Sequence, residues 1–260
     1  MTDRLFVSAS SSKWSCNAVA GGKYSEPYAY MLGYYKAGEK LAALVICEER
    51  NQDILFFPIC FNYRHYVELT LKHLIKSAEK YYFVLRELGP ENVRSELNRS
   101  FLFPRKRRFR SFIPNTKTHA RVLWKSNPKR NLRLTATHNL KILLQWLIDR
   151  LQLISNQKFD NNIRNIILEL NKIDPKGQSF RYGLLTNDVF SMKYTKNYNL
   201  EEIYKNMKDV YSYLSGIDIF LTEETQDVMD DLYQIQEETR ALENEALSES
   251  AKFDDYYYIS

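Results

Sequence analysis

Glycine and proline are scarce in this chain, eight and seven among 260 residues. Both interrupt regular elements, so their scarcity argues against a turn-rich all-β fold and for long helices. Cysteine is equally thin. Cys16, Cys47 and Cys60 form no CxxC pair and are odd in number, which suggests neither a disulfide framework nor a zinc site. Four histidines without HExxH or related spacing give metal catalysis little support, and no metal or cofactor is expected. Long apolar runs are missing too, since the stretch around Leu41 to Cys47 is too short and too close to charge to cross a bilayer. No basic-then-apolar leader opens the chain, where Met1 to Ser12 is short, mixed and serine-rich. A cytoplasmic protein without membrane contact is expected.

What is plentiful is charge in blocks. The net charge of +5 conceals a segment from Asn98 to Arg133 with twelve basic residues and no acidic one. From Thr222 to Ser260 the balance reverses, with twelve acidic residues against Arg240 and Lys252. Aromatics are abundant, and in the basic segment Phe101, Phe103, Phe109, Phe112 and Trp124 interleave with Arg105, Lys106, Arg107, Arg108, Arg110, Arg121 and Lys125. Cations of this kind contact phosphates while rings stack on unpaired bases. The plainer reading is a solvated basic loop with its aromatics docked on the core. The acidic tail has the charge to fold back on this arm.

Periodicity divides the chain into an irregular arm over 1–23, a helical domain over 24–221 interrupted by the basic insertion at about 89–134, and an acidic extension over 222–260. Ser25 offers an N-cap and Pro27 a first-turn proline for a helix reaching about Cys47. A second helix runs from Phe56 to Lys80 with Pro58 in its first turn, and pairs with the first as an antiparallel hairpin. Lys80 to Leu88 continues or restarts it. Thr135 or Thr137 can cap the next core helix, and Asn161 to Asp174 forms another, ended by the Asp174-Pro175-Lys176-Gly177 turn. The stretch after Gly177 is an extended excursion or short hairpin. From Asn199 the pattern is helical again, with Gly216 a point at which it can divide. The expected architecture is all-α, a bundle of four or five core helices.

The second helix carries the chemistry. Arg64, Glu68 and Lys72 recur every four residues and so form one charged stripe on a helix that is otherwise strongly apolar. The stripe reads either as an ion-pair ladder on an exposed edge, or as a polar site whose counter-groups arrive from elsewhere in the fold. His65 and His73 lie beside it. Downstream, Thr137-His138-Asn139-Leu140 and Phe180-Arg181-Tyr182 are the pieces that can meet it.

Glu68 and Lys72, then Thr137-His138-Asn139-Leu140, then Arg181-Tyr182, in that order, resemble the HEPN superfamily (higher eukaryotes and prokaryotes nucleotide-binding). Gly183 stands where that superfamily usually has proline, and the likeness runs from about Pro27 to Tyr182. The resemblance implies an HEPN-like helical bundle and a metal-independent endoribonuclease of bacterial anti-phage defence or a toxin–antitoxin pair. It also implies a homodimer, with single-stranded RNA or tRNA as substrate and an antitoxin or defence effector as partner. In such chemistry a histidine moves the proton of a 2′-OH or of the leaving 5′-oxygen, and an arginine stabilises the charge on the phosphate. The candidates are His138, Arg133, Arg64, His65 and Arg181, with Glu68, Lys72, Asn139 and Tyr182 as scaffold. Arg133 and His138 also form the one Arg-x4-His spacing that matches the superfamily's catalytic signature. A capping and packing role for His138, and an ion pair with Glu68 for Arg181, are the structural alternatives. The alternative function is a non-catalytic adaptor or sensor that dimerises and binds an effector or nucleotide.

Overall fold

Helix dominates the described part of the chain. The computed structural model describes residues 18, 26–87, 134–155, 157–183 and 196–257. Among these the fold is all-α, with five long helices, a single helical turn at 134–136 and no strand.

Helix α1, Pro27–Glu48, starts on its proline, but the residue at the N-cap is Glu26, without a side-chain cap, and not Ser25, which lies outside the described residues. It ends at Glu49, whose N–H still reaches Val45 O at 3.0 Å and whose left-handed φ of 52° turns the following chain out of the helix. Asn51 is left-handed as well, φ 63°, so the chain reverses within three residues and returns antiparallel along α1. The two helices touch closely at Gly38, where a Cβ would lie 2.9 Å from the Tyr63 ring.

Helix α2 spans Gln52–Glu87, starting four residues before the expected Phe56 and taking in the continuation past Lys80. Pro58 is inside it and not in its first turn. The missing N–H leaves the Ile54 carbonyl without a helical donor, and Ile54 is 72% exposed, so water can serve instead. The helix also runs through Lys80 unbroken. It is the spine of the bundle: Ile59, Tyr63, Val67, Leu71, Leu74, Ile75, Ala78 and Tyr81 are buried. Helix α1 and the helices Leu140–Ile154 and Leu200–Tyr257 pack around it.

Helix α3, Leu140–Ile154, is capped by Asn139, whose Oδ1 accepts from Ile142 N at 3.2 Å. The cap therefore falls on neither Thr135 nor Thr137. Thr135 belongs instead to the preceding helical turn, and its carbonyl is taken by Lys72. The buried Arg150 fixes α3 to α2 by donating Nε to Glu79 Oε1 at 2.8 Å and Nη1 to Trp146 O at 2.9 Å. Helix α4, Asn161–Ile173, is capped by Asp160 and buries Ile163 and Ile167.

Helix α5, Leu200–Tyr257, is one element of 58 residues capped by Asn199, whose Oδ1 accepts from Glu201 N and Glu202 N. It does not divide at Gly216. A helical glycine costs about 0.5–1 kcal/mol relative to alanine, against about 1.5–3 kcal/mol for each large apolar side chain buried. Met207, Val210, Leu214, Leu221 and Val228 are buried on either side of it. That packing continues past Thr222 to Val228 and Leu232, so the first turns of the acidic stretch belong to the core. Beyond them Tyr233 and Leu242 are 65% and 66% exposed. Among the described residues no helix is long and apolar enough to cross a membrane.

Candidate functional site

The charged stripe of α2 faces inward. Glu68 is 3% exposed and both its carboxylate oxygens are engaged. Oε2 accepts from Arg64 Nη1 at 2.9 Å, while Oε1 accepts from Lys72 Nζ at 2.8 Å and lies 2.9 Å from His138 Nδ1. Burial pushes the Glu68 carboxyl up, but the hydrogen bonds from Lys72 and Arg64, with that of His138, outweigh it and hold the group below the ordinary carboxylate value. Glu68 is therefore ionised at neutral pH.

Arg64 is 2% exposed and its guanidinium is spent on the fold. Nε donates to Asp174 O at 3.0 Å, Nη1 to Glu68, and Nη2 to the His138 carbonyl at 2.6 Å. Asp174, 1% exposed, adds an ion pair with its Oδ2 3.3 Å from Nε, outside hydrogen-bond geometry. Its Oδ1 accepts from Gln178 N and Ser179 N at 2.8 and 3.0 Å. The turn after α4 thus closes over the guanidinium, and Gly177 is needed there on two counts. Its φ is +73°, and a Cβ would lie 3.0 Å from Arg64 Nη1. Sequence reasoning reads Asp174 and Gly177 as turn residues only. A second buried anion beside Arg64 is the signal that could have found Asp174.

His138 is gripped twice by one helix. Arg64 holds its carbonyl and Glu68 its ring, and these two residues are one turn apart on α2 and bonded to each other. The side chain remains 53% exposed. An ionised carboxylate only accepts, so Nδ1 carries the proton, and in the neutral ring the lone pair is on Nε2. Lys72 braces the same loop by donating to Thr135 O at 3.0 Å. Four charges balance here, Arg64 and Lys72 against Glu68 and Asp174.

No family model matches the chain, and no curated protein or solved structure matches it.

The remaining candidates lie apart from the dyad. His65 is half-buried between Tyr34, edge-on at 4.4 Å, and Phe61, stacked at 5.6 Å. Burial pushes its pKa down; Glu68 opposes this, but Arg181, Arg64 and Lys72 add to it and the net direction is downward, so His65 is a neutral ring in an aromatic stack. Arg181 is exposed and forms no ion pair with Glu68; its guanidinium lies 5.1 Å from the centre of the Phe61 ring. Tyr182 is 53% exposed on the same turn. His73 pairs with Asp218 of α5 at 2.8 Å, away from the stripe. Arg133 lies outside the described residues, as do Arg105, Lys106, Arg107, Arg108, Arg110, Arg121, Trp124 and Lys125. The structure therefore brings together Arg64, Glu68, Lys72, His138 and Asn139, with Arg64 ordering the site and the His138 side chain half-exposed. Among the described residues no three His, Cys, Asp or Glu side chains are grouped to hold a metal ion.

Proposed function

We propose that this chain is an HEPN-like RNA-binding protein acting as a metal-independent endoribonuclease, with His138 as its proton-transfer group and single-stranded RNA or tRNA as its substrate. The observation that carries this reading is the Glu68–His138 pair. A buried carboxylate fixes the tautomer and orientation of a half-exposed imidazole and leaves Nε2 free to take a proton. In the reaction the 2′-oxygen loses its proton to Nε2 and attacks the adjacent phosphorus. The P–O5′ bond breaks, the 5′-oxygen gains the proton given back by the imidazolium, directly or through water, and the products end in a 2′,3′-cyclic phosphate and a 5′-OH. The carboxylate stabilises the imidazolium formed on the way. The self-balanced cluster has no spare charge for a phosphate, so the cation must come from beside it. Exposed Arg181 and the basic segment are the sources at hand.

The homodimer, the antitoxin or effector partner and the role in defence belong to the same proposal, and rest on the likeness of the Glu68–Lys72, Thr137-His138-Asn139-Leu140 and Arg181-Tyr182 motifs. The test is incubation of the purified protein with a panel of tRNAs and single-stranded RNAs in the presence of a chelator, with analysis of product ends. Fragments ending in cyclic phosphate are expected. Intact RNA bound with salt-sensitive affinity would move the reading to the non-catalytic adaptor.

A further inference from the structure

The face of α2 next to the Glu68–His138 pair carries an aromatic and cationic surface, of which the proposed reaction draws only on the charge of Arg181. At 100° per residue, Phe61, His65, Glu68 and Lys72 fall within an arc of about 60°, and Phe61 precedes Glu68 by two turns, about 10 Å along the helix. Three observations define the surface. The Arg181 guanidinium sits 5.1 Å from the Phe61 ring centre and forms no ion pair among the described residues, so its outer side is an exposed cation beside a ring. Behind it Phe61 is fixed by Tyr34, edge-on at 6.3 Å, and by the parallel ring of His65. The turn bearing Arg181 is tied down by Phe180, 5% exposed against Phe56, and by Arg181 N and Tyr182 N, both donating to Gln178 O at 3.1 Å. Gln178 N and Ser179 N in turn reach Asp174, which binds Arg64, the residue that holds His138. One bonded path thus sets the position of this surface against the dyad.

We propose that Phe61, Arg181 and Tyr182 form a stacking subsite for a nucleobase of single-stranded RNA, placing the neighbouring phosphodiester toward His138. The proposal rests on the reading of His138 as the reacting group. Its chemistry favours a base over a protein face. A flat guanidinium and an exposed phenol ring accept any π-face, and the guanidinium's own charge matches a polyanion. The subsite also lies on the described fold, so it is distinct from the basic segment.

The experiment uses the full chain and a single-stranded 2′-O-methyl oligoribonucleotide carrying 2-aminopurine, which cannot undergo the cleavage. Stacking quenches the fluorophore. Saturable quenching is expected, with Arg181→Ala and Tyr182→Ala each weakening binding by about 5- to 100-fold, the range for losing one stacked base. Tyr182→Phe retains the ring and is expected to bind like the parent. Arg181→Lys keeps the charge but not the plane and is expected not to restore affinity. Both positions are exposed, so unchanged thermal unfolding checks that the variants fold. Binding without quenching, full affinity in Arg181→Lys, or variants that alter self-association and not RNA affinity would overturn the proposal. Quenching with no cleavage of the unmodified RNA would support the subsite and remove the nuclease reading. Cleavage without quenching would do the reverse.

Discussion

Replacing Arg64 by alanine separates a buried keystone from a surface ion-pair ladder. An exposed i,i+4 pair contributes about 0.3–0.5 kcal/mol and is screened by salt. Arg64 is 2% exposed, and its loss removes the donors serving Glu68 Oε2, the His138 carbonyl and the Asp174 carbonyl, together with the charge facing the Asp174 carboxylate. Glu68 keeps Lys72 and His138, and Asp174 keeps two backbone N–H groups, so neither carboxylate is left bare. Breaking a buried pair from one side costs about 3–5 kcal/mol. At about 2–4 °C per kcal/mol for a chain of this size, the melting midpoint falls by about 6–20 °C. The assay is thermal unfolding followed by circular dichroism at neutral pH, at low and at high salt. A loss below about 1 kcal/mol, or one that salt abolishes, would refute the buried-keystone argument.

Two further outcomes follow from the same cluster. Gly177→Ala puts a Cβ 3.0 Å from Arg64 Nη1 at a φ of +73°, so a loss of about 1–3 kcal/mol is expected by chemical denaturation, and a neutral result contradicts the described turn. Glu68 has a folded pKa below its unfolded value, so the stability it contributes is present above about pH 4.5 and drains away as the pH falls through the folded pKa. Glu68→Gln is therefore less stable at neutral pH and has a flatter acid limb. Parallel curves for parent and variant between about pH 3 and 7 would show that the carboxylate is not the coupled group.

Much of this site is legible in one helix. The four-residue recurrence of Arg64, Glu68 and Lys72 on an apolar helix requires counter-groups from elsewhere, and they are His138, Thr135 and Asp174. Which residues deliver them is less legible, because three of the contacts use backbone carbonyls, of His138, Thr135 and Asp174, that every residue possesses. Asp174 is hidden for another reason. In Asp-Pro-Lys-Gly it has a sufficient local role as a turn former, and only the fold shows that the turn lies on a buried guanidinium. Pro58 and Gly216 mislead in the opposite direction. Both are helix breakers by propensity, yet each sits where the lost bond or added entropy is small beside the burial on either side. Arg64 reads as a reacting arginine only through the resemblance, and its burial makes it a positioning residue. His65 reads as a second histidine of the site, and its packing makes it part of the aromatic stack.

The central claim is that Glu68 holds His138 in the tautomer that moves a proton during RNA cleavage. It is tested most directly by single-turnover cleavage of one RNA substrate, in a chelator, by the parent, His138→Ala and Glu68→Gln proteins, each first shown to be folded. His138→Ala is expected to lose about 10²–10⁴-fold in rate, and Glu68→Gln to lose a large part of the same factor with substrate affinity retained. Cleavage by His138→Ala at the parental rate would contradict the claim.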